Sequence, residues 1–170
     1  MNPMKKIKIG KITLNIGVGS PGDKLEKAMK LLENITEAKP VQTISMKRIP
    51  TWGLRPKLPI ATKITIRGKK AEQLLKRLLQ AVDNKLHIKK FDKFGNLSFG
   101  IPEYIDIPDV PYDAGIGVIG LEAAVTLERP GFRIKTRSVK NESIGIKHRI
   151  TKEEAIEYMK NDFGVTVSDE

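Results

Sequence analysis

Three short polar runs alternate with apolar residues and carry side chains suited to binding a polyanion. They are Lys11, Thr13 and Asn15; Thr43, Ser45 and Lys47; and Lys63, Thr65 and Arg67. Lys and Arg neutralise phosphates, and short Thr, Ser and Asn side chains supply donors and acceptors for sugar hydroxyls and phosphate oxygens. No carboxylate belongs to these runs. The pattern favours a nucleic-acid surface, and the alternative is an ordinary solvated sheet face.

The positive charge of the chain is concentrated in two segments. The 170 residues include 31 Lys and Arg and 20 Asp and Glu, a net charge of +11. Residues 38–71 contain nine basic residues and no acidic one, and residues 129–149 contain seven basic residues and one acidic residue, Glu142. Like charges repel in a compact fold unless a partner neutralises them. The distribution therefore indicates a polyanionic partner, either nucleic acid or an acidic membrane surface.

Further candidate contacts to RNA lie within the two basic segments. They are Arg48 and, in the second segment, Arg133, Lys135, Arg137, Lys147 and Arg149. The loop 48–59, interrupted by three prolines and a glycine, adds Trp52, Arg55 and Lys57. Trp52 is the only tryptophan. Two interpretations of it stay open: stacking on a base or ribose, and folding back on the edge of the sheet.

A glycine-rich turn at 17–22 is the one motif that suggests a nucleotide cofactor. Its sequence, GVGSPG, follows a predicted strand and precedes a predicted helix, as in a dinucleotide-binding fingerprint. However, Pro21 lacks the N–H group that would cradle a pyrophosphate, and the next two strands are consecutive. We therefore expect no cofactor, and a nucleotide-binding enzyme that uses this turn is kept as a weaker alternative. A glycine turn at a helix N-terminus also suits contact with an RNA phosphate.

Other residue types that support catalysis or metal binding are scarce. The chain has no cysteine and two histidines, His87 and His148, the second between two cationic neighbours that disfavour a general base. Asp106, Asp109 and Asp113 lie in a proline-rich stretch typical of turns. The sequence predicts no catalytic residue, no metal site and no enzyme activity.

Apolar periodicity predicts the elements that must position these residues. Strands are predicted at 7–18, 41–47, 60–67, 96–101 and 120–128, and helices at 23–38, 69–86 and 151–162. Asp23 with Glu26, and Thr151 with Glu154, have the spacing of capping boxes. The order predicts an α+β fold with a mostly antiparallel twisted sheet, helices packed on one face and the other face open for RNA. Residues 1–170 are expected to form a single domain, with a basic segment at 129–149.

No run of apolar residues is long enough to span a membrane, and the first residues lack the features of a secretory signal. A cytoplasmic protein is expected. A peripheral membrane protein is a weaker alternative, because the basic residues form no amphipathic helix.

The ordered motifs of the chain are similar to one known family. ITLNIGVG, KITIRG, GNLSFGI, YDAGIGVIGLE, RPGFRI and IGIKHRITKEEA occur in sequence along nearly the whole length. Together they resemble the large-subunit ribosomal proteins that bind 5S rRNA, the fifth in the usual naming, in their archaeal or eukaryotic form.

The resemblance implies a structural constituent of the large ribosomal subunit that helps attach 5S rRNA in the central protuberance. Implied partners are 5S rRNA, neighbouring large-subunit rRNA, P-site tRNA, other 5S-associated proteins and a small-subunit head protein at an intersubunit bridge. No membrane partner is implied, and the protein would be cytoplasmic and ribosome-bound. The family's RNA contacts fall on Asn15, Thr65 and Arg67, with Thr43 and Lys47 also matching, and loop 48–59 corresponds to the segment near P-site tRNA. Glu37-Ala38 stands where many relatives have Gly-Gln, so a glutamine contact is not carried over.

Overall fold

A computed structural model describes residues 2–168 as a five-stranded antiparallel sheet with helices on one face, in the strand order β2-β3-β1-β6-β5. This confirms the predicted α+β class. The elements are β1 (Lys8–Gly17), α1 (Asp23–Thr36), β2 (Val41–Ile44), β3 (Pro59–Ile66), α2 (Lys69–Gln80), β4 (Lys85–His87), β5 (Leu97–Ile101), β6 (Leu121–Glu128), α3 (Lys152–Phe163) and β7 (Thr166–Ser168). Strands β4 and β7 form a separate parallel pair.

The two faces of the sheet differ as the alternation in β1 predicts. Ile12, Leu14 and Ile16 are at most 2% exposed, whereas Thr13 and Asn15 between them are partly exposed. Helices α1 and α2 pack against β3 and β1 on the buried side and contribute their apolar stripes to one core. The opposite face is here called the open face. It carries the side chains of Lys11, Thr13, Asn15, Lys63 and Thr65 and, within residues 2–168, has no helix packed on it.

The second helix ends earlier than predicted. Apolar spacing suggested a helix to residue 86, but α2 ends at Gln80. Asp83 and Asn84 both have positive φ, 54° and 55°, which breaks the helix, and Leu86 then lies in β4 paired with Val167. Leu86 is buried in β4, and a leucine on the apolar stripe of a longer helix would be buried as well. Its apolar character alone therefore does not distinguish helix from strand.

The two predicted capping boxes had different outcomes. In α3 the prediction is confirmed: Thr151 Oγ1 accepts from the Glu154 amide, and the Glu154 carboxylate accepts from the Thr151 amide. In α1 it is wrong, because Gly22 is the N-cap and Asp23 is the first helical residue, with no capping bond from a side chain. The φ of Gly22, 120°, lies outside the range that other residues readily adopt.

Candidate nucleic-acid interface

The register of β1 and β3 brings together two of the three predicted polar runs. Thr13 lies opposite Thr65, with their hydroxyl oxygens 3.4 Å apart, and Asn15 lies opposite Lys63. Lys63 and Arg67 are exposed, while Lys11, Thr13, Asn15 and Thr65 are half-buried. The centre of the open face is therefore a row of short hydroxyl and amide groups flanked by cations, an arrangement suited to ribose and phosphate.

Strand β6 adds carboxylates that the three runs themselves lack. It pairs with the other edge of β1 and places Glu122 opposite Asn15 and Glu128 opposite Lys8. Asn15 Nδ2 donates to Glu122 Oε2 at 3.2 Å. The open face is thus cationic over β3 and mixed over β6. Phosphates are therefore expected on the β3 side, and groups that donate hydrogen bonds on the β6 side.

The prediction that Ser45 faces outward beside Thr43 is wrong. Thr43 pairs with Ala61 on the open face, but a bulge follows, and Ile44 pairs with Pro59. Ser45 is 7% exposed, and its hydroxyl donates to the carbonyl of Lys47 at 2.8 Å. The bulge breaks the alternation on which the prediction relied, so Ser45 is a structural residue.

Loop 48–59 forms a short hairpin that leaves its aromatic tip in solvent. Ile49 and Leu54 exchange two backbone hydrogen bonds of 3.0 Å around the 3-10 turn Pro50–Trp52. Leu54 is buried, whereas Trp52 is 73% exposed. Of the two interpretations of Trp52, folding back on the sheet is therefore not observed, and its ring is available for stacking.

The other basic candidates near the hairpin lie off the strands. Lys47 and Arg48 follow β2, and Arg55 and Lys57 lie on the return side of the hairpin. All four are exposed. The amide of Lys57 donates to the Ser45 carbonyl at 2.9 Å, which fixes the base of the hairpin. These cations therefore extend the charged surface past the ends of β2 and β3.

The basic segment 129–149 is held in place by its first residue. Arg129 is 5% exposed; its Nη1 donates to the carbonyls of His148 and Arg149, and its Nη2 lies 2.7 Å from Glu154 Oε1. One guanidinium therefore ties both ends of the segment to α3. Although Arg129 contributes to the charge count of the segment, it is buried and paired, so its charge is not available to RNA.

The environment of Glu154 keeps it ionised for this pairing. Desolvation acts to raise the pKa of the Glu154 carboxyl, but the Thr151 amide and the Arg129 guanidinium outweigh it. The net effect is a pKa below the ordinary value of 4.5. The Glu154 carboxylate thus serves both the capping box of α3 and the ion pair with Arg129.

The other cations of the segment face solvent. Arg133, Lys135, Arg137, Lys147 and Arg149 are all exposed. Arg137 Nε donates to the Lys140 carbonyl at 2.8 Å, and Arg149 Nε donates to the Ile144 carbonyl at 3.1 Å, so both also brace the chain locally. Lys135 and Arg149 line one groove together with Lys11 of β1. The structure therefore joins the second basic segment to the open face.

The glycine turn has the wrong hydrogen bonds for a nucleotide site. The amides of Val18 and Gly19 both donate to the carbonyl of Ile60, at 3.0 and 2.8 Å. These bonds continue the pairing of β1 with β3 past Gly17 and Ala61. Two amides that a pyrophosphate would need are therefore already occupied.

The remaining candidates for metal or acid–base chemistry have structural surroundings. His148 Nε2 lies 2.9 Å from the Pro130 carbonyl, and His87 Nδ1 accepts from the Lys89 amide. Asp113 Oδ1 accepts from the Gly115 amide, as the turn interpretation of these aspartates predicts. Residues 2–168 contain no group of three or more potential ligands that could hold a metal ion. Within the same range, no helix is long and apolar enough to cross a membrane.

Three residues of the candidate interface, Glu122, Glu128 and Phe94, could not be assigned to it from the sequence. Glu122 and Glu128 alternate outward in β6, but their place on the open face depends on the sheet order, which the sequence does not reveal. Phe94 is 59% exposed and lines the same groove as Lys11. A hydrophobic residue in the turn sequence KFGN was a signal that could have identified it.

Comparisons with known proteins cover almost the whole chain. A family model described as "Ribosomal protein L5" matches residues 2–55, and a second model, for the C-terminus of the same ribosomal family, matches residues 59–161. The chain is 50% identical to large ribosomal subunit protein uL5 of Nanoarchaeum equitans over 98% of both chains. It is 47% identical to that of Methanosphaera stadtmanae, over 98% of this chain and 99% of the relative. For Sulfurisphaera tokodaii the identity is 46%, over 98% of this chain and 95% of the relative.

Proposed function

The chain belongs to the ribosomal protein L5 family, and we propose that it binds 5S rRNA through the open face of its sheet. The resemblance inferred from the sequence motifs is thereby confirmed, and the relatives named above are archaeal. The protein is a structural constituent of the large ribosomal subunit and not an enzyme. Its proposed role is to help attach 5S rRNA to the subunit in the central protuberance.

The observation that carries the proposal is the cross-strand array on β1 and β3. Thr13, Thr65 and Asn15 form its polar centre, and Lys63 and Arg67 supply exposed positive charge beside it. A shallow face of this kind suits the wide minor groove and irregular loops of RNA better than the major groove of DNA. The hydroxyl and amide groups would contact ribose and phosphate while the cations neutralise phosphates.

The exposed hairpin 48–59 is proposed to approach P-site tRNA. Its tip presents Trp52 with 73% of its surface exposed, and Arg55 and Lys57 are exposed beside it. An exposed indole next to cations can stack on a base or ribose while the cations contact the phosphates. The hairpin joins β2 to β3 and extends past the ends of these strands, so it can reach a second RNA while the sheet holds 5S rRNA.

The exposed cations of segment 129–149 are proposed to contact 5S rRNA and neighbouring large-subunit rRNA. Other 5S-associated proteins and a small-subunit head protein complete the proposed partners. Residues 1–170 would act as a single 5S rRNA-binding domain in a ribosome-bound, cytoplasmic protein. No cofactor is proposed.

A competition titration at several salt concentrations tests the assignment to 5S rRNA. Labelled 5S rRNA would be bound by the purified protein, with tRNA and a random RNA of equal length as competitors. We expect a preference for 5S rRNA that persists as salt rises, although absolute affinity falls because each phosphate contact releases counterions. Equal affinity for all three RNAs, lost together as salt rises, would overturn the proposal and leave a generic basic protein.

A further inference from the structure

A groove of about 880 Å³ lies between the open face and the second basic segment. Lys11 and Thr126 of the adjoining strands line one side, and Lys135 and Arg149 line the other. The volume falls within the range of about 300–1,000 Å³ that is usual for small-molecule sites. The groove is therefore large enough to hold one nucleotide.

Two aromatic rings border this groove. Phe94 is 59% exposed, in the turn that precedes β5. Phe132 is half-buried, and its ring packs edge-on against His148 with centroids 5.7 Å apart, which fixes its position. Unpaired RNA bases commonly stack on exposed aromatic rings.

A carboxylate without a protein partner lies in the same groove. Glu128 is half-buried, and residues 2–168 provide it with neither a side-chain hydrogen bond nor an ion pair. Its side chain lies over Gly10, at the bulge in β1, where a Cβ would collide with the carboxylate carbon. A carboxylate repels phosphate but accepts hydrogen bonds from the N–H groups of a base.

We propose that this groove takes one unpaired guanine nucleotide of the bound RNA. Phe94 stacks on the base, and Glu128 accepts from its Watson–Crick edge. Lys135 and Arg149 neutralise the adjoining phosphates. Guanine fits because its N1–H and N2–H groups are two adjacent donors that match the two oxygens of one carboxylate. The inference rests on the proposed binding of 5S rRNA and adds a base-specific contact to it.

Chemical probing of the complex between the full chain and 5S rRNA tests this contact. Kethoxal modifies the Watson–Crick edge of unpaired guanine, and dimethyl sulfate modifies unpaired adenine and cytosine. We expect the wild-type protein to protect at least one unpaired guanine from kethoxal. Glu128→Gln and Phe94→Ala should each restore its reactivity and weaken binding roughly five- to tenfold, in keeping with the removal of one base contact. Tyr112→Ala and Glu26→Gln, matched exposed positions away from the groove, should leave protection unchanged.

The outcomes separate this inference from the broader proposal. If 5S rRNA is still preferred but no guanine protection depends on Glu128 and Phe94, the groove assignment is wrong and the open-face assignment stands. Variant-dependent protection of adenine or cytosine alone would overturn the choice of guanine. If the wild-type protein shows no preference for 5S rRNA, both proposals fail. Circular dichroism of both variants confirms that changes in protection do not come from unfolding.

Discussion

The two basic segments are similarly rich in Lys and Arg but are held in place by different means. Much of segment 38–71 lies in β2 and β3, and the hairpin between them is closed by paired backbone bonds between Ile49 and Leu54. Segment 129–149 contains no strand and only two short 3-10 helices, Phe132–Lys135 and Ile146–His148. Its ends are joined by the side chain of Arg129.

The two surfaces should therefore respond differently to substitution. In the first segment Lys63 projects from β3 and Arg67 follows its last residue, and the backbone ladder persists when either side chain is removed. In the second segment, a buried cation that cannot touch RNA fixes the exposed cations that can. Residues of the same type and charge therefore have opposite roles, and burial distinguishes them.

The largest effect on stability is expected from Arg129→Ala. The substitution leaves the Glu154 carboxylate and the carbonyls of His148 and Arg149 without their shared donor. Because Glu154 is 41% exposed, we expect a loss of about 2–3 kcal/mol in the free energy of unfolding, at or below the lower end for broken buried pairs. Urea unfolding measures it. Arg133→Ala, which removes an exposed cation of the same segment, should unfold like the wild type. Equal losses of stability in both variants would contradict the structural role assigned to the buried Arg129 side chain.

The second effect concerns the exposed cations alone. Replacing Arg133, Lys135 and Lys147 together by Ala should leave the unfolding midpoint nearly unchanged, because all three side chains are exposed. It should flatten the slope of log affinity against log salt by up to about 0.7–0.9 for each phosphate that is no longer neutralised. A salt-series titration with 5S rRNA measures the slope. An unchanged slope would show that this segment does not contact the RNA backbone.

A smaller effect on stability should distinguish Ser45 from Thr43, which belongs to the same predicted polar run. Ser45→Ala removes a buried hydrogen bond to the Lys47 carbonyl and should cost about 1 kcal/mol of stability. Binding of 5S rRNA should not change, since the hydroxyl does not reach the open face. Thr43→Ala is the matched comparison and should weaken binding instead. A loss of RNA affinity in Ser45→Ala without a loss of stability would instead support the prediction that Ser45 faces the RNA beside Thr43.

The smallest effect concerns how the free energy of unfolding changes as pH falls. The pKa of Glu154 is lower in the folded chain than its ordinary value of 4.5, so its contribution to stability is fully present above that pH. The contribution is lost as pH falls below 4.5 and through the folded pKa. Glu154→Gln should therefore show a shallower loss of unfolding free energy with acid than the wild type. Thermal unfolding from neutral pH down to about pH 3 measures this; parallel profiles for the two proteins would argue against the ion pair.

Much of the fold could be predicted because its signals are local. The alternation of Ile12, Leu14 and Ile16 with polar residues identified β1 and its two faces, and the T-K-E-E sequence located the start of α3. The end of α2 could not be predicted, because Leu86 continues an apolar pattern that the positive φ angles of Asp83 and Asn84 interrupt. Apolar spacing records burial and is insensitive to the backbone angle at the residues between.

The sequence predicted which residue types form the candidate site, but not which residues of other strands and helices lie beside them. Lys63, Thr65 and Arg67 belong to one face by alternation alone, whereas Glu122 joins them only because β6 pairs with β1. Likewise, the pairing of Arg129 with Glu154 joins residues that local patterns treat as separate. Sequence counts of charge cannot identify which cations are buried and paired, so only the structure separates binding cations from structural ones.

The central claim, that the open face binds 5S rRNA, is tested most directly by two charge-matched double variants. Lys63→Ala with Arg67→Ala removes two cations from the open face, and Lys27→Ala with Lys30→Ala removes two exposed cations from α1. We expect a loss of about 1–3 kcal/mol for each open-face cation in a binding titration at fixed salt, and little change for the α1 pair. Equal losses in both double variants, or none in the first, would contradict binding through the open face.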